Sequence, residues 1–389
     1  MKLESPRRTL VVKVGTRVLV RRDGRPDRRR FESLVADIVA ARKAGWQVVL
    51  VSSGAIGCGM EALKLPRRPT SLPDLQMAAA VGQVRLMTRY DALFAEHRLR
   101  VGQVLLTHAD LQHRMRHLNA RNTILRLLAQ GTIPIINEND VVSFAEIQLG
   151  DNDVLAAMVS LLIDAPLLVL LTSTNGLRRP LPSGRRTRVP VLERITETEL
   201  GWVIQKSDPL SRGGMESKLR AAQMVADSGF TAVIADGRRP GTLQQIVGGD
   251  DIGTRIGRPL GEPVRLIEAR KRWIAYFHRA RGAVIVDDGA AEALIRHRTS
   301  LLPVGVVGVE GTFPEGSLVR IKTRSGDIIG SGLTSYASSQ IERIRGLRTG
   351  AVRQELGSVA FDEIIHRDNL LLALSTAGGA ARTTSTEKL

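Results

Sequence analysis

The stretch Ile133-Pro134-Ile135-Ile136-Asn137-Glu138-Asn139-Asp140, followed shortly by Gly150-Asp151-Asn152-Asp153, sets a short apolar run directly against a cluster of carboxylates and amides. A strand that ends this way puts hydrogen-bonding groups at the carboxyl edge of a sheet, where open α/β proteins bind small polar ligands. A small-molecule site is the first expectation. Either polar run alone also reads as a solvated loop, and the rest of the chain has to decide between the two.

Working outward, β-rich runs alternate with helical periodicity up to about residue 250. Phe31, Leu34, Val35, Ile38 and Val39 recur at helical spacing, and Gly45 supplies a stop before the strand Val48-Val49-Leu50-Val51. Similar apolar runs at Thr9–Val14, Val101–Leu106, Ile133–Ile136, Leu167–Leu171 and Ala232–Ala235 are separated by helix-length segments. That alternation predicts an α/β fold, a three-layer α/β/α sandwich around a mostly parallel sheet covered on both faces. No internal repeat is visible. The pattern changes after the connector Gly257-Arg258-Pro259-Leu260-Gly261-Glu262-Pro263. From Gly282 onward, short alternating runs are punctuated by Gly305, Gly308, Gly311, Gly316, Gly326 and Gly330, which predicts a small β-rich barrel with one helix near 290–296. The expected organisation is a first domain over 1–260, a linker over 261–271, a second domain with a C-terminal extension over 272–372, and a disordered tail over 373–389, rich in Ala, Gly, Thr and Ser.

Composition narrows the function classes. With 389 residues, 43% hydrophobic and 24% charged, the chain can bury a sizeable core and is long enough for two domains. Its only cysteine, Cys58, cannot form an intramolecular disulfide, and no apolar stretch approaches the roughly 20 residues of a membrane helix. A cytoplasmic protein without a membrane partner is expected. The net charge of +17 invites a nucleic-acid reading, but the excess is spread: 38 basic against 26 acidic residues over 1–264, and 14 against 8 over 265–348. Arg28-Arg29-Arg30 and Arg185-Arg186 read as solvated loops, and the same field favours small anionic substrates.

Three further junctions carry polar groups. Lys13-Val14-Gly15-Thr16 closes the first strand with a lysine and a glycine that lets a phosphate approach the backbone. Ser52-Ser53-Gly54-Ala55-Ile56-Gly57-Cys58-Gly59 follows the second strand, with hydroxyls and glycines fit for a carboxylate cradle or a simple turn. Gly213-Gly214-Met215-Glu216-Ser217-Lys218 opens a helix over Lys218–Asp227 with backbone N–H groups and a lysine. The G-x-x-x-x-G-K-[ST] spacing of a phosphate loop is absent.

Taken in order, these runs, together with Ala79-Ala80-Val81-Gly82-Gln83 and Leu118-Asn119-Ala120-Arg121-Asn122-Thr123, resemble the amino acid kinase family, and within it the glutamate 5-kinases of proline biosynthesis. Past the connector, Arg270-Lys271-Arg272-Trp273, Ser300-Leu301-Leu302-Pro303 and Gly305 resemble the start of a PUA domain. The resemblance implies ATP-dependent phosphorylation of the side-chain carboxylate of L-glutamate, with Mg²⁺ as cofactor. By the same resemblance, Lys13, Lys218 and Asp153 are the catalytic residues, the aspartate holding the two lysines. Ser53, Gly54, Asn137, Asp140 and Asn152 would bind glutamate, with Asp140 accepting from its ammonium and Ser53 and Asn152 donating to a carboxylate. Lys13, Gly15, Thr172, Ser173, Arg212, Gly213, Gly214, Met215, Glu216, Ser217 and Lys218 would bind ATP. No protein residue is assigned to the metal, which usually rides on substrate phosphates. The resemblance further implies a homo-oligomer, feedback inhibition by proline, and a hand-over of the acyl phosphate to glutamate-5-semialdehyde dehydrogenase.

Two positions depart from the family pattern. Thr172-Ser173 stands where Thr-Asp is usual, and Arg212 stands where Thr is usual. The first removes a carboxylate from the nucleotide region and the second offers a phosphate contact, so nucleotide affinity or preference is the property affected, more than activity itself. The basic segment Arg178–Val189 also looks reworked. The competing function class is an RNA-binding protein with a non-catalytic kinase-like domain, suggested by the basic charge and the PUA resemblance. Retention of Lys13, Lys218, Asp140, Asn152 and Asp153 argues against it.

Overall fold

The computed structural model describes residues 8–21, 23–142, 152–203, 214–259, 280–356 and 361–372. The chain divides into two compact units, Met1–Ala269 and Arg270–Leu389. The expected linker and tail lie outside the described residues.

Among the described residues, ten strands belong to the first unit: β1 (Thr9–Val14), β2 (Gln47–Ser52), β3 (Val101–Leu106), β4 (Ile133–Glu138), β5 (Leu167–Thr172), β6 (Arg178–Pro180), β7 (Arg186–Arg188), β8 (Val191–Leu192), β9 (Thr231–Asp236) and β10 (Thr254–Ile256). Eight of them form one sheet in the order β3-β4-β2-β1-β5-β9-β10-β8. All neighbours run parallel except β9 and β10. Strands β1 and β9 are buried along their whole length, as a parallel sheet covered on both faces requires. Because the parallel strands share a direction, Val14, Ser52, Glu138, Thr172 and Asp236 all end at one edge.

Period-two alternation then assigns faces. Leu10, Val12 and Val14 join Phe31, Leu34, Ile38, Tyr90, Phe94 and Leu243 in one core, beneath the helices Arg28–Lys43, Leu72–Ala95 and Thr242–Gly248. Lys13 therefore leaves β1 on the opposite face. There the helix Asn152–Leu162 crosses β1, β2, β4 and β5 and packs against the helix Met215–Asp227. Helix, sheet and helix make the three expected layers.

One close approach fixes the helix that follows β2. A Cβ on Gly59 would lie 1.8 Å from the Ala78 carbonyl oxygen, and one on Gly82 would lie 1.8 Å from that of Ala55. Only glycine at both places lets the helices Ala55–Ala62 and Leu72–Ala95 meet backbone to backbone. This corrects the reading of Gly57 and Gly59 as parts of a ligand cradle: both lie inside the helix, and a Cβ on Gly57 would meet the Gly24 carbonyl oxygen at 2.8 Å.

Two basic clusters differ in part from expectation, since Arg28, Arg29 and Arg185 are exposed but only Arg185 lies in a loop. Arg28-Arg29-Arg30 is the first turn of a helix, with Asp27 accepting from the Arg29 N–H at 3.1 Å and Arg30 donating to the carbonyls of Arg17 and Val20 at 2.8 Å each. The apolar face begins only at Phe31, so the opening turn looked like loop. Arg186 belongs to β7, which pairs antiparallel with β6, and it donates to the carbonyls of Arg178 and Trp202. The adjacent Arg188 forms a two-pronged pair with Asp251, at 2.9 and 2.6 Å.

The second unit holds β11 (Ala283–Val286), β12 (Val306–Glu310), β13 (Leu318–Thr323), β14 (Ile328–Leu333) and β15 (Leu370–Leu372), ordered β12-β11-β13-β14-β15. Its core includes Val284, Leu294, Val319, Ile321, Ile341 and Ile364. The expected helix runs over Asp288–His297, and the helices Ser338–Ile344 and Thr349–Leu356 add to it.

Candidate active site

Three elements bring three charges together at the carboxyl edge. Lys13 comes from β1, Asp153 from the first turn of the helix Asn152–Leu162, and Lys218 from the first turn of Met215–Asp227. That last helix begins three residues earlier than the sequence suggested. Asp153 bridges the two ammonium groups, with Lys13 Nζ 2.6 Å from Oδ1 and Lys218 Nζ 2.8 Å from Oδ2. Lys218 Nζ also reaches the Gly214 carbonyl at 3.4 Å.

Asp153 is completely buried. Burial by itself would raise its pKa, but the charges of Lys13 and Lys218 and the hydrogen bonds they donate overcome it and bring it down to about 2. It is a carboxylate at any physiological pH. Two buried cations held by one anion leave net positive charge where a polyanion would be met.

Beside this network runs a chain of amides. Gln83, on the helix Leu72–Ala95, accepts at Oε1 from Asn137 Nδ2 at 2.9 Å. Asn137 Oδ1 accepts from Asn152 Nδ2 at 3.1 Å, and the same Nδ2 donates to Ser53 Oγ at 2.9 Å. Four side chains from four elements thus form one directed series. Two of its atoms are left over: Gln83 Nε2, at one end, and Asn152 Oδ1 are buried with no hydrogen-bond partner among the described residues. Leaving such a group unmatched costs about 1–3 kcal/mol, so each is a place for a ligand atom or water.

This direction revises one expectation. Asn152 was expected to donate to a carboxylate, but its NH₂ is directed at Ser53 and Asn137, and what remains is an acceptor. Ser53 accepts from Asn152 and keeps its own O–H to donate. Gln83 was not singled out from the sequence. It lay in the run Ala79–Gln83, and nothing local ties that helix to β4.

The remaining expected residues stand as follows. Gly54 has φ +113° and opens the helix Ala55–Ala62 directly after Ser53. Asp140 is half-buried in the turn after β4. Gly15 donates its N–H to the Leu171 carbonyl at 3.2 Å, and Thr172 ends β5 with Ser173 after it. Gly214 is the exposed cap of the helix that carries Met215, Glu216, Ser217 and Lys218. Glu216 is engaged along its own helix by Arg220, at 2.7 Å. Ser217 Oγ is buried with no hydrogen-bond partner among the described residues. Arg212 and Gly213 lie outside the described residues, as do Gly150 and Asp151. Ser52 turns away from the site, bonding to the Tyr90 hydroxyl at 2.8 Å in the core.

The chain matches known proteins along nearly its whole length. A family model described as "Amino acid kinase family" matches residues 8–236, and a "PUA domain" model matches residues 282–356. A glutamate 5-kinase of Moorella thermoacetica is 43% identical over 370 residues, covering 95% of this chain and 97% of its own. One from Myxococcus xanthus is 43% identical over 371 residues, with the same coverages. Among solved structures, carbamate kinase from Giardia lamblia bound to AMP-PNP covers 65% of this chain and 99% of its own, at 17% identity and a TM-score of 0.46. The chain belongs to the amino acid kinase family and, within it, groups with the glutamate 5-kinases.

Proposed function

We propose that this protein transfers the γ-phosphoryl group of ATP to the side-chain carboxylate of L-glutamate, giving L-glutamyl 5-phosphate for proline biosynthesis. The observation that carries this reading is the buried Lys13–Asp153–Lys218 network beside an amide series with one donor and one acceptor unmatched among the described residues. With a reference pKa of about 4.3, the glutamate carboxylate is ionised at neutral pH and needs no general base. A carboxylate oxygen bonds to the γ-phosphorus while the bond to the β–γ bridging oxygen breaks, and the electron pair leaves on ADP. Lys13 and Lys218 stabilise charge on the transferring group and the leaving oxygen. Asp153 holds both ammonium groups in position before the substrate arrives.

Ser53, with Gly54 beside it, takes a substrate carboxylate through its O–H, and Asn152 Oδ1 and Asp140 take the ammonium. Asn137 orients Asn152. Gly15, Thr172, Ser173 and the run Arg212–Ser217 form the nucleotide side. Mg²⁺ would sit on the phosphate oxygens, where it neutralises charge. Both Asp153 oxygens face ammonium groups, so that carboxylate is not among its ligands. No helix among the described residues is long and apolar enough to cross a membrane, and we place the enzyme in the cytoplasm. The same reading carries a catalytic domain over 1–260, a homo-oligomer, feedback inhibition by proline, and acyl-phosphate hand-over to the next enzyme. The RNA-binding alternative finds no support in relatives that bear kinase names.

The test is ATP turnover with glutamate, aspartate and N-acetylglutamate in parallel, with hydroxylamine present to trap an acyl phosphate. Hydroxamate formation with glutamate alone is expected. Turnover confined to either of the other acids would reassign the substrate.

A further inference from the structure

We propose that Gln83 is a substrate-binding residue whose free amide hydrogens hold the α-carboxylate of the amino acid, an inference that rests on glutamate being the substrate. Asn137 donates to Gln83 and accepts from Asn152. Asn137 therefore couples the orientation of Gln83 to that of Asn152, and in this structure its NH₂ faces Gln83. With Oε1 engaged by Asn137, Gln83 presents its NH₂, and that nitrogen is buried without a partner among the described residues. A buried donor of this kind calls for an acceptor, which a ligand oxygen can supply.

Read along the series, Ser53 offers a donor, Asn152 an acceptor and Gln83 a donor. An α-amino dicarboxylic acid is the complement: carboxylate, ammonium, carboxylate. The order also orients the ligand. Asn152 adjoins Asp153 and its two ammonium groups, whereas Gln83 is the end of the series most remote from them by connection. The carboxylate that accepts the phosphoryl group lies at the lysine end, which leaves the α-carboxylate for Gln83. Gly82 supports this assignment: its missing side chain lets the helix Leu72–Ala95 approach the Ala55 carbonyl, and that approach delivers the neighbouring Gln83 to β4.

The informative variant is Gln83→Glu in the full-length chain. It keeps the oxygen that accepts from Asn137 and replaces the NH₂ by an anionic oxygen facing the substrate carboxylate. The glutamate KM should rise about tenfold or more, with the ATP KM and kcat within about twofold of wild type. Inhibition by 4-aminobutyrate, which is glutamate without the α-carboxylate, supplies the second readout. Wild type should prefer glutamate strongly over this analogue, and the preference should fall about tenfold in the variant. Were Gln83 only a support for Asn137, Gln83→Glu would keep both the wild-type KM and the wild-type preference, and either result overturns the proposal. If Gln83→Glu does not fold, Gln83→Met read by the same preference ratio decides. Failure of the wild-type chain to consume glutamate would be a failure of the functional reading itself, and the wild-type control reports it separately.

Discussion

Replacing Asp153 by asparagine removes one charge and almost no volume, yet it strips two buried ammonium groups of their shared counter-ion. Lys13 Nζ and Lys218 Nζ lie 2.6 and 2.8 Å from its two oxygens, and the lysine side chains are only 4% and 8% exposed. The amide oxygen can still accept from one lysine, but its NH₂ confronts the other. Breaking a buried pair by removing one partner costs roughly 3–5 kcal/mol, and at roughly 2–4 °C per kcal/mol for a unit of this size the midpoint should fall by roughly 6–20 °C. The kcat should drop by about a hundredfold or more, because the lysines lose their fixed positions. Thermal melts followed by circular dichroism, paired with hydroxamate formation, read both effects. Adding Lys13→Met to Asp153→Asn should recover part of the midpoint, since one of the two facing cations is gone, and none of the activity. A single variant melting within about 2 °C of wild type, the shift expected for no more than about 1 kcal/mol, would refute the claim that Asp153 is the counter-ion both lysines depend on.

Lys218→Ala should lower kcat by about a hundredfold while changing the glutamate KM little, because its charge is needed most when the phosphoryl group is in transit; a wild-type kcat would remove it from the chemistry. Gly82→Ala forces a Cβ to within 1.8 Å of the Ala55 carbonyl oxygen, so the helices must separate. A stability loss of roughly 1–3 kcal/mol or more is expected in urea titrations, together with a raised glutamate KM as Gln83 moves, and unchanged stability would contradict the close approach. The pKa of Asp153 is depressed to about 2 in the folded chain. Its stabilising contribution is therefore fully present above its unfolded pKa of about 4 and decays as the pH falls toward about 2. The stability gap between wild type and Asp153→Asn should accordingly be constant from pH 5 to neutrality and narrow steadily below about pH 4; a gap that widens on acidification would reverse the sign of the argument.

The strand framework was legible in the chain because its signal is local. Strands buried on both faces leave apolar runs such as Leu10–Val12 and Leu167–Leu171, and each was readable without knowing its neighbours. The polar residues that close those runs, Lys13, Ser53 and Asn137, were legible for the same reason, since a shared strand direction delivers every strand end to one edge. Where the signal was mixed the reading was incomplete: Arg28–Arg30 looked like loop because helical apolar spacing begins only at Phe31, and Arg186 because its partners are the carbonyls of Arg178 and Trp202, which no local pattern announces.

Only the tertiary structure decided which polar groups meet. Lys13, Asp153 and Lys218 are far apart in the chain and share a site because two helices on one face begin at the same sheet edge. The polarity of the Gln83–Asn137–Asn152–Ser53 series is likewise beyond sequence. An amide is both donor and acceptor, and which end faces a ligand is set by the bonds its other end has made. That single physical fact leaves Asn152 with an unmatched acceptor where a donor was expected, and ties Gln83 into the same series. Sequence fixes the kind of groups gathered at an edge, while their orientation belongs to the packing of four separate elements.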